Sequence, residues 1–150
     1  HSRGSMISPQ KMEALLSKWD HELEAAESLF KIEGRKINEV AREHSQHLFK
    51  FEKLLYEVRR YEELMSVDVE VAEAAAWKKY TEGYSVRLSA TDIRAYVSGE
   101  AAVVEAKQLK IEITTIRHQV EAVVDAIKNM GWMISHLTKL YIEQLEASTI

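Results

Sequence analysis

The chain has no cysteine, one proline and five glycines in 150 residues. The missing cysteine excludes disulfides, thiolate catalysis and thiolate-ligated zinc. So little proline and glycine leaves few turn signals for a β-rich fold. No apolar run approaches the roughly 20 residues of a membrane span, and no secretory apolar region appears. The formal charge of −4 argues against a globally basic nucleic-acid binder. Reaction chemistry is equally scarce: there is no glycine-rich phosphate loop, no G-x-S-x-G and no H-E-x-x-H. The expectation is a soluble intracellular protein with no catalytic residues, cofactor or metal.

What remains is rich in helix formers, with 46% hydrophobic and 29% charged residues. His1 to Ser5 read like a cloning remnant ahead of Met6 and are set aside. Residues 6–150 read as one all-α domain, with a helical part over 6–99 and a long helix over 100–147. In that last helix Ala106, Leu109, Ile113, Ile116, Val120, Val123, Ile127, Met130, Ile134, Leu137 and Tyr141 recur at alternating steps of three and four. This is the heptad signature of a helix laying a stripe against other helices. Gly131 falls within the register without interrupting it, which points to close packing there.

Upstream, Ser8 and Pro9 form a helix start, with the serine as cap. Met12, Leu15, Leu16, Trp19, Leu23, Ala26 and Phe30 share a face, and Gly34 ends the run. A second helix starts near Arg35 and carries Ile37, Val40, His44, Leu48, Phe51, Leu55, Val58 and Met65. From Val67 to Gly83 the pattern is ambiguous. Val67, Val69 and Val71 alternate with acids as a short strand would, while Ala72 to Tyr80 look helical, so an excursion between longer helices is expected. Ser89 or Thr91 caps a short helix over Asp92 to Val97, stopped by Ser98-Gly99.

Charge is distributed unevenly along the second helix. From Arg35 to Arg60, seven Lys/Arg stand against four Glu, leaving a local +3. At about 100° per residue, Arg35, Arg42, Lys53 and Arg60 fall within about 20° of one another, opposite the apolar face. Phe49 and Tyr56 lie beside that line, with Lys50 on its other flank. Cations that neutralise phosphates, interleaved with rings that stack bases, are what a single-stranded nucleic-acid surface needs. The same line is also what an ordinary solvated face looks like, with Glu39 and Glu57 pairing locally. Trp77, Lys78, Lys79, Tyr80, Tyr84 and Arg87 form a smaller basic-aromatic cluster.

The histidines do not make a metal site: His44 and His47 are three apart, but His44 points along the apolar stripe and reads as a packed residue. Trp19 fits the core. Trp132, beside the stripe, reads as a core residue or an inter-subunit anchor.

The run Asp125-Ala126-Ile127-Lys128-Asn129-Met130-Gly131-Trp132-Met133-Ile134-Ser135-His136 resembles the closing segment of UvsY-type recombination mediators of tailed phages. Arg87-Leu88-Ser89-Ala90-Thr91-Asp92-Ile93 with Glu100 to Ile116 resembles that family's middle region, where a short capped helix feeds the long one. Leu55-Tyr56-Glu57-Val58-Arg59-Arg60 lies where the family carries a basic helix end. The likeness covers roughly residues 50 to 147. The family's basic motif continues into Tyr-Tyr-small-Gly, whereas here Tyr61-Glu62-Glu63-Leu64-Met65-Ser66 follows.

The resemblance implies an all-helical, non-enzymatic ring-like homo-oligomer, a heptamer in the family, acting in the cytoplasm of an infected bacterial host. It implies binding to single-stranded DNA and help for a RecA-like recombinase in replacing the single-strand-binding protein. The candidate DNA contacts are Arg35, Arg42, Lys50, Lys53, Arg59, Arg60, Lys78 and Lys79. The candidate subunit interface is Leu109, Ile113, Ile116, Val120, Val123, Ile127, Met130, Trp132, Ile134, Leu137 and Tyr141. The alternative is a structural or adaptor helical oligomer without nucleic-acid binding.

Overall fold

The structure, a computed structural model, describes residues 7–31, 34–83 and 86–148. The remnant at His1 to Ser5 and Tyr84 of the smaller cluster lie outside the described residues. Among these the protein is all-α: α1 (Pro9–Ala26) continues into a short 3-10 turn (Glu27–Phe30), followed by α2 (Ile37–Glu82), α3 (Ala90–Gly99) and α4 (Ala101–Ser148). Sequence signals explain most of the boundaries. The Ser8 hydroxyl accepts from the Lys11 amide at 3.2 Å and caps α1. Gly34, in the turn before α2, has φ +73°, the left-handed region that glycine enters at little cost. Ser89, rather than Thr91, caps α3 by accepting from the Asp92 amide at 3.1 Å.

α2 differs from the sequence expectation. There is no excursion after Val67; one helix of 46 residues carries the segment. Burial gives the reason. Met65, Val69 and Ala76 are buried on one face with Ala72 half-buried between them, at steps of four, three and four. Val67 and Val71 point to solvent, so the apparent strand alternation reflects two exposed valines flanking one core valine. An isolated helix gains little from propensity alone, so this buried stripe is what holds the segment helical.

The chain divides into two compact units. The first takes the described residues up to Leu16 together with Val58–Ile116; the second takes Ser17–Glu57 and the residues from Arg117 on. In the first unit Ala76, Ile93, Val97 and Val103 form a cluster where α3 packs against α2 and α4. Polar ties cross the same helices. The Thr114 hydroxyl donates to Glu62 at 2.6 Å, and Lys107 lies 3.6 Å from Glu73. Glu100 accepts from the Tyr80 hydroxyl at 2.6 Å and from Lys79 at 3.0 Å. Those two hydrogen bonds hold the Glu100 carboxyl below its ordinary range. Tyr80 also stacks on Tyr96, with ring centroids 5.2 Å apart.

In the second unit Trp19 is fully buried and its indole N–H donates to Glu57 at 2.8 Å. Lys18 reaches the same carboxylate at 2.9 Å. Burial acts to raise the Glu57 pKa, but the hydrogen bonds from Trp19 and Lys18 outweigh it and leave it lowered. Val40, Met130 and Ile134 pack together with Ile37 beside them, setting the start of α2 against the later part of α4. Here α4 passes close to α2. His44 places Nε2 2.7 Å from the Ile127 carbonyl, which fixes the ring proton on that nitrogen. A Cβ on Gly131 would stand 2.8 Å from the His44 ring. The glycine is therefore the gap into which the imidazole fits, and α4 runs through it unbroken.

Candidate nucleic-acid interface

The long helix α2 presents its polar side to solvent in the second unit because Val40, Phe51, Leu54 and Leu55 fix the opposite side in the core. On the polar side Arg42, Phe49, Lys53 and Tyr56 follow at intervals of seven, four and three, within an arc of about 60°. At 1.5 Å per residue they span about 21 Å. Phe49 is 71% and Tyr56 78% exposed. Rings of this size left in water along a cationic line are unusual for a purely solvated face, since burying one stabilises by about 1.5–3 kcal/mol.

The structure separates the sequence candidates by what their charges already do. Arg35 donates to both oxygens of Glu43 at 2.9 Å, and that bond is the main reason the Glu43 carboxyl sits below its ordinary range. Lys50 lies 2.8 Å from Glu22, and Lys79 is taken up by Glu100. Arg42 and Lys53 are exposed and form no ion pair among the described residues. In the first unit Arg60 and Lys78 are likewise exposed and outside any ion pair among the described residues, whereas Arg59 is exposed but already engaged. The second unit thus brings two cations outside any ion pair among the described residues, and two exposed rings, onto one face. The Lys79–Tyr80 pair does structural work instead.

The heptad stripe of α4 is largely satisfied within one chain. Ile113 and Ile116 are buried in the first unit, and Val120, Ile127, Met130 and Ile134 in the second. Leu109 and Val123 are half-buried, and Val124 is buried beside Val123. Beyond Ile134 the stripe opens: Leu137 and Tyr141 are exposed, joined by Leu140, Ile142 and Leu145, which the sequence reading did not single out. Leu140 follows Leu137 by three and Leu145 follows Tyr141 by four, which was the available signal. Trp132 is 79% exposed, so it is no core residue. It stands on an open groove of about 920 Å³ between α2, at Ala41 and His44, and α4.

No helix among the described residues is long and apolar enough to cross a membrane. Comparison of the chain with protein-family models, with curated proteins and with solved structures finds no match in any of the three.

Proposed function

We propose that this protein binds single-stranded DNA and acts as a recombination mediator, promoting the loading of a RecA-like recombinase in place of single-strand-binding protein. One observation carries the DNA half of this reading: the row Arg42, Phe49, Lys53, Tyr56, with its cations outside ion pairs and its rings more than two-thirds exposed. Phosphates would lie along the cations and bases on the rings, each stacked base contributing about 1–3 kcal/mol. The mediator half, with its setting in an infected bacterial host, rests on the likeness to UvsY-type proteins over residues 50 to 147. Homo-oligomerisation, as the ring of seven that likeness implies, draws support from the exposed apolar face formed by Leu137, Leu140, Tyr141 and Leu145. Repetition of a modest basic face around such an assembly lets weak contacts act together.

The adaptor reading shares the apolar face and lacks the DNA. Substituting Arg42, Lys53 and Arg60 by Glu separates the two when oligo-dT anisotropy is paired with light scattering. The expected result is DNA affinity at least tenfold weaker at unchanged molar mass. Unchanged affinity would reject this face as the DNA surface, and a wild-type monomer at micromolar concentration would reject the assembly.

A further inference from the structure

The groove beside Trp132 lies within the second unit, next to the polar side of α2. The two helices run antiparallel there: Val40 packs on Met130 and Ile134, and one turn later His44 meets Ile127 and Gly131. Ala41, the neighbour of Arg42, lines the groove, and Glu52, one turn beyond Phe49, lies 3.7 Å from Lys128. The groove residues of α4 therefore form a row beside the row on α2. Followed in one direction in space, both rows begin with the same pattern. On α2 the exposed Arg42 is followed seven residues on by the ring of Phe49. On α4 the exposed Lys139 is followed seven residues back by the ring of Trp132. Each pair spans about 10 Å, on helices whose axes pack about 8–10 Å apart.

We propose that the groove is the second half of the strand's path, with a base stacked on Trp132 and a phosphate held by Lys139 and the Ser135 hydroxyl. The groups are placed for it. Trp132 stands in solvent, three residues from Ser135, and Ser135 is one turn from Lys139 on the same side of α4. Lys139 forms no ion pair among the described residues. Lys128 has a different part: it stands against Glu52 and neutralises the acid that separates the two rows. Glu143 and Glu146 follow one and two turns beyond Lys139 on the groove wall. Their charge repels phosphate and closes the path at that end, so the strand enters the groove from α2 rather than along α4.

A strand in the groove is compatible with assembly. Leu137, Leu140, Tyr141 and Leu145 centre roughly half a turn around α4 from Trp132 and Lys139, so the face proposed for subunit contact stays free. The groove has this role only if the DNA reading above holds, and variants of the two rows show which of them has failed.

The test pairs oligo-dT anisotropy with light scattering and tryptophan fluorescence. Trp132→Ala should bind about tenfold more weakly at unchanged molar mass. Lys139→Gln should reduce the slope of log affinity on log salt by about 0.7. Oligo-dT should quench the fluorescence of the wild-type protein, since Trp132 is open to a base while Trp19 is buried. Trp132→Phe should lose most of that quench and keep most of the affinity, because its ring still stacks. Wild-type affinity in Trp132→Ala, with binding still weakened by Arg42→Glu and Lys53→Glu, would reject the groove and leave the α2 row standing. An undiminished quench in Trp132→Phe would reject it equally. A fall in molar mass with Trp132→Ala would make the indole a subunit contact and overturn the assignment. No binding by the wild-type protein at about 50 mM salt would reject both rows together.

Discussion

The two units use the same long helices to opposite ends. In the first, polar and aromatic groups pair with one another across its helices: Thr114 with Glu62, Lys79 and Tyr80 with Glu100, Tyr80 with Tyr96. In the second, Trp19 and His44 are committed to the core, yet Phe49, Tyr56 and Trp132 stand in solvent. The difference teaches that residue type alone does not mark a recognition surface. Two tryptophans of one unit, Trp19 and Trp132, sit at opposite extremes, and only the neighbours that α1, α2 and α4 supply decide which is which.

That contrast can be broken most forcefully at the tryptophans. Trp19→Ala should cost about 3–5 kcal/mol in urea denaturation, through lost burial and the lost indole hydrogen bond to Glu57. Trp132→Ala should stay within about 0.5 kcal/mol. Similar losses at both would erase the distinction. Next in size, Phe49→Ala and Tyr56→Ala should each weaken oligo-dT binding by about 1–3 kcal/mol and leave thermal stability unchanged. In the first unit, Ser89→Ala should cost about 1 kcal/mol by removing the cap of α3, with no effect on DNA affinity. The close approach at Gly131 offers a test of sign. Gly131→Ala gains up to about 1 kcal/mol of helix propensity but expels the His44 ring and breaks its hydrogen bond to Ile127. It should therefore stabilise the protein in a His44→Ala background by about 1 kcal/mol, and lose that gain when His44 is present. A double-mutant cycle with no coupling would contradict the packing described.

The smallest expected effect is in the acid limb of the stability curve. Glu57 and Glu100 have lowered folded-state pKa values, so in acid the unfolded chain takes up protons that the folded chain still refuses. Their contribution is full above the ordinary carboxylate value of 4.5 and disappears as pH falls through the lower folded values. Glu57→Gln and Glu100→Gln should each flatten the loss of stability below about pH 4.5 in urea titrations, whichever unit carries the carboxylate.

Much of the fold is local information. The Ser8 cap, the serine cap of α3 and the apolar faces of α1, α2 and α4 are legible from spacing and side-chain chemistry. Gly131 is legible too, because a glycine in phase within a stripe implies a close neighbour, and His44 is that neighbour. The stretch after Val67 was not, since three alternating valines carry the same local signal in a strand and in a helix that buries only the middle one. The candidate site was half visible. The basic-aromatic line on α2 follows from register, but which cations are spent depends on Glu22, Glu43 and Glu100, whose pairings depend on the fold. The α4 stripe shows the same limit: periodicity says that a helix needs a partner, and only tertiary structure shows that most of its positions up to Ile134 are covered within one chain.

The central claim is that the polar face of α2 in the second unit holds a nucleic-acid strand by its phosphates. The most direct test is the affinity of the wild-type protein for labelled oligo-dT across a salt series. Binding is expected at about 50 mM salt, with log affinity falling by about 0.7 per contacted phosphate for each unit of log salt. Two contacts, from Arg42 and Lys53, set a slope of at least about −1.4 per chain. No binding at about 50 mM salt, or an affinity that does not change with salt, would contradict it.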